Sequence, residues 1–243
     1  MVILRGRMAD ILLIHGSCHG AWCWDKLIPC LNAKGHMARA IDLPSHGADD
    51  TPVQTVTLDC YAQAIVENCH EQTTLVGHSM GGYAISAAAE RVPEQIAQLI
   101  YLCAYVPQNG MTLAQMRKKA PRQPLLPAVR MAPDGLSFTI DPEMAPDIFY
   151  HDCAPGDVEF ALTRLCPQAV APTNAPLADM SAVEKLPRSY IRCMDDRTVP
   201  PEFQVTMTQD WPAQRLHQMD CGHSPFFSDP ETLATHIDQA IRG

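Results

Sequence analysis

Short apolar runs alternate with stretches of helical periodicity along most of the chain. The run at residues 11–14 is continuously apolar, which is typical of a central strand in a parallel sheet. Further strands are predicted at residues 37–41, 73–76, 96–102, 188–193 and 214–219. Helices are predicted at residues 24–34, 58–69, 81–91 and 230–241. This alternation predicts an α/β fold with a mostly parallel central sheet and flanking helices.

The region from residue 107 to 187 has a different character because it is rich in proline. Proline interrupts helix interiors and central strands, so the region is expected to form short helices and loops. We interpret residues 107–187 as a small, mainly helical cap inserted into one structural domain. Residues 1–106 and 188–243 then form the core of that domain.

Composition narrows the class of protein. Apolar residues make up 47% of the 243 residues and the net charge is −9, with a single basic cluster at residues 117–119. A nucleic-acid partner is not expected, because phosphate binding needs a concentrated positive surface.

No apolar run approaches the length that spans a membrane, and the run at 11–14 is too short for a signal sequence. The ten scattered cysteines are expected to be reduced thiols, so we expect a cytoplasmic globular protein.

A G-x-S-x-G motif provides the sharpest chemical signal. Gly77, Ser79 and Gly81 lie directly between a predicted strand and a predicted helix, which is the context that a nucleophilic serine requires. The glycines allow a tight turn, and the strained serine exposes its Oγ atom. The other interpretation is a plain strand-to-helix turn with a serine N-cap.

A nucleophilic serine needs a histidine base and a carboxylate that orients it. Asp195 and Asp196 follow the strand at 188–193, and His223 follows the strand at 214–219. Both loops lie at carboxyl ends of strands, where α/β sheets place their sites. The order serine, acid, histidine therefore predicts a catalytic triad, with either aspartate as its acid.

The loop after the first strand is expected to supply an oxyanion donor. Gly16 permits close approach of the backbone, so the N–H groups of Ser17 and Met80 are predicted to converge on one oxygen. Gly16 and His78 are the candidate substrate contacts, although His78 also fits a structural role. His15 is expected to be buried and bonded to the backbone.

No metal or cofactor is predicted. Cys18, His19, Cys23, Cys221 and His223 could gather in the fold, but none has the paired spacing of a structural zinc site.

These motifs resemble those of the α/β-hydrolase superfamily, and more narrowly the plant methylesterase and hydroxynitrile lyase family with its bacterial esterase relatives. The matching stretches are residues 12–24, 40–47, 76–82, 190–204 and 220–223. The resemblance implies an α/β-hydrolase fold, and its spacing selects Asp196 over Asp195 as the triad acid.

The lyases of this family resemble one another in carrying a hydroxyl residue after the first loop's histidine and a lysine after the catalytic histidine. Gly16 and Ser224 occupy those positions here, which favours ester hydrolysis. The expected function is a serine carboxylesterase for a small lipophilic ester, such as a methyl ester. A hydroxynitrile lyase, a carbamate or amide hydrolase, and a ligand-binding protein remain alternatives. The sequence is also compatible with a homodimer.

Overall fold

All six predicted core strands form in the computed structural model, which describes residues 8–243. Three more strands lie in the cap region. In chain order the strands are Asp10–Ile14 (β1), Met37–Ile41 (β2), Thr73–His78 (β3), Ile96–Leu102 (β4), Val129–Met131 (β5), Ser137–Ile140 (β6), Gln168–Ala169 (β7), Arg188–Cys193 (β8) and Leu216–Met219 (β9).

The α-helices connect and cover these strands. They are Leu27–Ala33 (α1), Leu58–Glu67 (α2), Gly81–Arg91 (α3), Leu113–Lys119 (α4), Ala145–Phe149 (α5), Pro155–Leu162 (α6), Ala171–Asn174 (α7), Pro201–Met207 (α8), Pro225–Ser228 (α9) and Pro230–Arg242 (α10). The first helix starts later than predicted because Pro29 is tolerated only in a first helical turn.

The main sheet has the order β2-β1-β3-β4-β8-β9, and every neighbouring pair is parallel. The chain passes from β1 to β2 on one side and then crosses to β3 on the other. This reversal opens a crevice between the carboxyl ends of β1 and β3, where sheets of this kind bind ligands. The loops after β1, β3, β8 and β9 all leave the sheet at this carboxyl edge. The prediction of an α/β-hydrolase fold is confirmed.

Alternate residues of the buried strands pack on opposite faces of the sheet. Leu12 and Ile14 join a core cluster with α2 and α3, whereas Ile11 and Leu13 join a second cluster with α1 and α10. Burial on both faces of the sheet explains why residues 11–14 of β1 are all apolar. The sheet is therefore a fixed platform for the loops at its edge.

The cap region contains a small sheet that the sequence analysis did not anticipate. Strands β5, β6 and β7 pair in antiparallel fashion, alongside the helices α4–α7. Proline did not prevent these strands because Pro127, Pro142 and Pro167 lie just outside them.

Two further observations concern the described residues. Between residues 8 and 243, no helix combines the length and apolar character needed to cross a membrane. All ten cysteines are free thiols.

Candidate active site

A sharp turn between β3 and α3 presents Ser79 at the carboxyl edge of the sheet. Ser79 has a φ of 55°, in the left-handed region that residues with a side chain rarely adopt. Its N–H donates to the carbonyl of Leu102 (3.2 Å), and its carbonyl accepts the N–H of Tyr105 (3.1 Å). A Cβ at Gly77 would lie 2.7 Å from the carbonyl oxygen of Gly81, so this turn requires glycine there. The surrounding backbone thus fixes the position of the serine.

The loops after β8 and β9 bring Asp196 and His223 together. The Nδ1 atom of His223 donates to Oδ2 of Asp196 over 2.8 Å, and both side chains are buried. Asp196 also accepts the N–H groups of Thr198 (2.7 Å) and Val199 (2.9 Å) and the side-chain amide of Gln204 (3.0 Å). Because both carboxylate oxygens are held, the imidazole has a fixed orientation with Nε2 left for chemistry.

The neighbouring Asp195 has a different environment. Its side chain is exposed and pairs with Nε2 of His151 at 2.9 Å. Of the two aspartates, Asp196 is the one that contacts His223, which is the choice that the family resemblance implied.

Ser17 and Met80 lie beside Ser79 in the cavity wall. Within residues 8–243, neither backbone N–H has a protein acceptor, so two donors are available near the serine. Gly16 is not among the residues that line the cavity, and its role as a substrate contact stays a prediction. A Cβ at Gly16 would lie 2.9 Å from both Cβ of Ser79 and Nδ1 of His78, so the sharp turn at residues 77–81, here named the elbow, occupies that space.

His15 and His78 are buried supports of the site, and burial lowers the pKa of each well below its ordinary value. Nε2 of His15 accepts the N–H of Leu43 (3.1 Å), so its Nδ1 donates to the carbonyl of Gly16 (2.8 Å). Nε2 of His78 donates to the carbonyl of His223 (2.8 Å). His15 therefore has the expected structural role, and His78 both supports the histidine loop and lines the cavity.

Residues 148–152 of the cap region, here named the brace segment, contact the loop after β1. The hydroxyl of Tyr150 donates to Nε2 of His19 over 2.8 Å. Nδ1 of His19 donates to the carbonyl of Ser17, also over 2.8 Å, because a carbonyl can only accept. Burial lowers the pKa of His19 to about 4, which keeps the ring neutral. The pair thus holds the carbonyl of Ser17, in the peptide group that joins Ser17 to Cys18.

The brace segment also contacts the acid and histidine loops. The carboxylate of Asp152 accepts the N–H of Gly222, the residue before His223, over 2.6 Å. The carbonyl of Ile148 accepts the hydroxyl of Thr198 over 3.0 Å. One segment therefore supports three of the loops that form the site.

A cavity of about 330 Å³ lies between the sheet edge and the cap region. Ser79 and His223 both line it, and the serine hydroxyl has no hydrogen-bond partner in the described part of the chain. A serine–imidazole contact is commonly loose before substrate binds. Four hydrophobic side chains of the cap region, Leu113, Leu125, Leu126 and Met131, form part of an apolar wall.

One group of side chains could offer ligands to a metal. The ligand atoms of His78, Cys103 and His223 lie within 4.8 Å of one another and are buried. His223 is already bonded to Asp196, and His78 to a backbone carbonyl. Cys18, Cys23 and Cys221 are not part of this group, so the candidates considered from sequence do not gather as a ligand set.

Comparison with known proteins assigns the chain to a family. The model of the alpha/beta hydrolase family matches residues 11–236. The chain belongs to this family.

The chain is similar to several curated alpha/beta hydrolases over nearly its whole length. It is 32% identical to "Methylesterase 17" of Arabidopsis thaliana, over 91% of this chain and 87% of the relative. It is 29% identical to "Methylesterase 1" of the same plant, over 95% of each chain. A solved structure, a "Novel Pyrethroid Hydrolase from Sphingobium faniae JZ-2", has a TM-score of 0.85, 27% identity and coverage of 97% of this chain and 98% of that chain. The expectation of a carboxylic ester hydrolase is confirmed.

Sequence reasoning missed three supporting residues of this alpha/beta hydrolase site. Tyr150 and Asp152 lie in the cap region, far along the chain from the loops that they contact, and no local pattern marks them. The amide of Gln204 holds Asp196, and its place in the matching stretch 190–204 was the one available signal.

Proposed function

We propose that the chain is a serine carboxylesterase that hydrolyses a small lipophilic ester through an acyl-enzyme on Ser79. The observation that carries this proposal is the shared cavity of Ser79 and His223, with His223 bonded to Asp196 at 2.8 Å. The hydrophobic side chains of the cap region suit a lipophilic acyl group.

In the proposed first step, the Oγ atom of Ser79 attacks the ester carbonyl carbon and Nε2 of His223 takes the hydroxyl proton. Asp196 holds the imidazole and stabilises its charged form. The backbone N–H groups of Ser17 and Met80 donate to the oxyanion. Collapse of the tetrahedral intermediate expels the alcohol, which receives the proton from His223.

In the second step, water attacks the acyl-enzyme and His223 again acts as the base. The resulting tetrahedral intermediate breaks the acyl bond to Ser79, whose Oγ recovers the proton. The products are a carboxylic acid and an alcohol, and the chain's own residues supply every proton transfer.

The relatives support a small alcohol group in the substrate. Two relatives are named methylesterases. We propose methyl or other small alkyl esters as the substrate class. The ten free thiols fit a reducing compartment, so we also propose a cytoplasmic location.

The surroundings of Gly16 favour hydrolysis over cyanohydrin cleavage. A Cβ there would lie 2.9 Å from Cβ of Ser79, so a hydroxyl residue would displace the elbow. Ser224, at the position of the lyases' lysine, is buried and offers no cation.

The test is intact-protein mass spectrometry after reaction with a fluorophosphonate, followed by assays with methyl and p-nitrophenyl esters. We expect one adduct on the wild type, none on Ser79→Ala, and one on the control Ser181→Ala, which changes an exposed serine. Equal labelling of wild type and Ser79→Ala would refute the assignment of the nucleophile. Absence of labelling in all three proteins would favour a ligand-binding protein.

A further inference from the structure

The side chains that line the cavity include a cation but no carboxylate. The lining residues include no aspartate or glutamate, although the chain as a whole has a net charge of −9. Two lining histidines, His19 and His78, stay neutral because burial lowers the pKa of each. Arg117 is the lining residue with a permanent charge. The cavity therefore has a positive end and no acidic group to balance it.

Arg117 lies on α4 with its neighbours Leu113 and Ala114, all on the side of the helix that lines the cavity. Residues i and i+4 share one helix face, which accounts for the pairing of Leu113 with Arg117. The adjacent Lys118 and Lys119 are exposed. Within the basic cluster at residues 117–119, Arg117 therefore lines the cavity, whereas Lys118 and Lys119 face solvent.

The guanidinium of Arg117 has no partner of opposite charge. Its Nε atom is buried without a hydrogen-bond partner, and no carboxylate pairs with it in the described range 8–243. It lies close enough to the Tyr105 phenol to oppose the rise in the pKa of Tyr105 that burial causes. Tyr105 also lines the cavity, so Arg117 and Tyr105 belong to the same part of its wall.

Helix α7 packs against α4 and extends this polar end. Asn174 of α7 lines the cavity and is exposed, so its side-chain amide is available to a ligand. An amide N–H and a guanidinium fork together can hold both oxygens of a carboxylate. A cation with a buried, unpaired donor is costly unless a ligand supplies the acceptor.

We propose that the substrate is a carboxylate-bearing ester, a monoester of a dicarboxylic acid, whose free carboxylate binds Arg117 while its ester group lies at Ser79. This inference rests on the proposed ester hydrolysis and replaces its fully lipophilic acyl group with one whose apolar chain ends in a carboxylate. The methylene chain between the two groups contacts the apolar wall. Hydrolysis converts the monoester and water into a dicarboxylate, an alcohol and a proton.

The test compares two methyl esters with the same carbon chain length, monomethyl adipate and methyl hexanoate, which differ in a terminal carboxylate in place of a methyl group. For the wild type we expect kcat/KM to be about 10- to 100-fold higher for monomethyl adipate, the range for a charge-assisted hydrogen bond. Arg117→Met should abolish this preference, and Arg117→Lys should retain part of it because lysine lacks the planar fork. Lys118→Met removes a neighbouring charge outside the cavity and should retain all of it.

A binding measurement separates this inference from the proposed chemistry. Calorimetry with adipate should show binding to the wild type and to Ser79→Ala, and none to Arg117→Met. Equal kcat/KM for the two esters, or a preference that survives in Arg117→Met, would overturn the inference while leaving ester hydrolysis intact. Adipate binding without turnover of any ester would overturn the proposed hydrolysis and retain the anion site. Circular dichroism of each variant verifies that it is folded.

Discussion

Acidification should destabilise this protein because it buries neutral histidines beside its site. The clearest case is His19, which is fully buried and whose pKa falls from the ordinary 6.5 to about 4. Between these two values the unfolded chain binds a proton at this residue that the folded chain does not. The free energy of unfolding must therefore decrease as the pH falls below 6.5, and this decrease ends near pH 4.

The size of the effect follows from the two pKa values. Each pH unit inside the window costs about 1.4 kcal/mol, so lowering the pH from about 7 to about 5 should cost about 2 kcal/mol through His19 alone. The pKa values of His15 and His78 are lowered in the same direction, and both add to this loss. A loss of this size is a large fraction of the stability of an ordinary domain.

The assay is urea unfolding, followed by fluorescence at about pH 7, 6 and 5, for the wild type and two variants. His19→Gln removes the titrating ring while retaining an amide that can accept the hydroxyl of Tyr150. Between about pH 7 and about pH 5, the free energy of unfolding of His19→Gln should therefore decrease by about 2 kcal/mol less than that of the wild type. The control His70→Gln changes a histidine whose side chain is 70% exposed, and it should keep the wild-type pH dependence. The same pH dependence in wild type and His19→Gln would refute the reasoning.

Three further substitutions test how the site is supported. Gly16→Ala places a Cβ 2.9 Å from Cβ of Ser79, so kcat should fall at least about 10-fold in a steady-state ester assay. Gln204→Leu removes the amide that holds Asp196, and should lower both kcat and the free energy of unfolding, the latter by about 1–3 kcal/mol in urea titrations. Tyr150→Phe leaves a buried imidazole nitrogen unpaired, and should cost about 1–3 kcal/mol of stability and lower kcat more than it raises KM.

Each of these predictions has an outcome that contradicts it. Wild-type kcat in Gly16→Ala would mean that the loop after β1 can move away from the elbow without affecting the chemistry. Unchanged stability in Gln204→Leu would show that the acid loop does not depend on this amide. A change in KM alone in Tyr150→Phe would assign the tyrosine to substrate binding rather than to positioning.

The framework of the site could be predicted because local patterns encode it. The buried run at β1 and the motif around Ser79 are both short-range signals, and parallel strands bring the loops after them to one edge. His223 was selected because it follows a later strand that ends at this edge, in the chain order typical of the motif. The choice of Asp196 over Asp195 came from family resemblance, since two adjacent turn residues look alike to a local pattern.

The support of the site could not be predicted because its contacts are long-range. Tyr150 and His19 are 131 residues apart, and no periodicity links two such positions. The small sheet of the cap region was missed for a related reason, since its three strands are too short to show alternation. Arg117 was visible as part of a basic cluster, but only the packing of α4 showed which cation faces the cavity.

The brace segment also restricts how ligands can come and go. Lifting residues 148–152 as a hinged lid would break the bonds of Tyr150 and Asp152 together and release the loops that they hold. Leu126 and Met131 line the cavity while remaining 52% and 54% exposed, so the cavity meets the protein surface at these two side chains. A ligand that enters there leaves the bonds of the brace segment intact, and the reactive geometry can stay assembled through the turnover cycle.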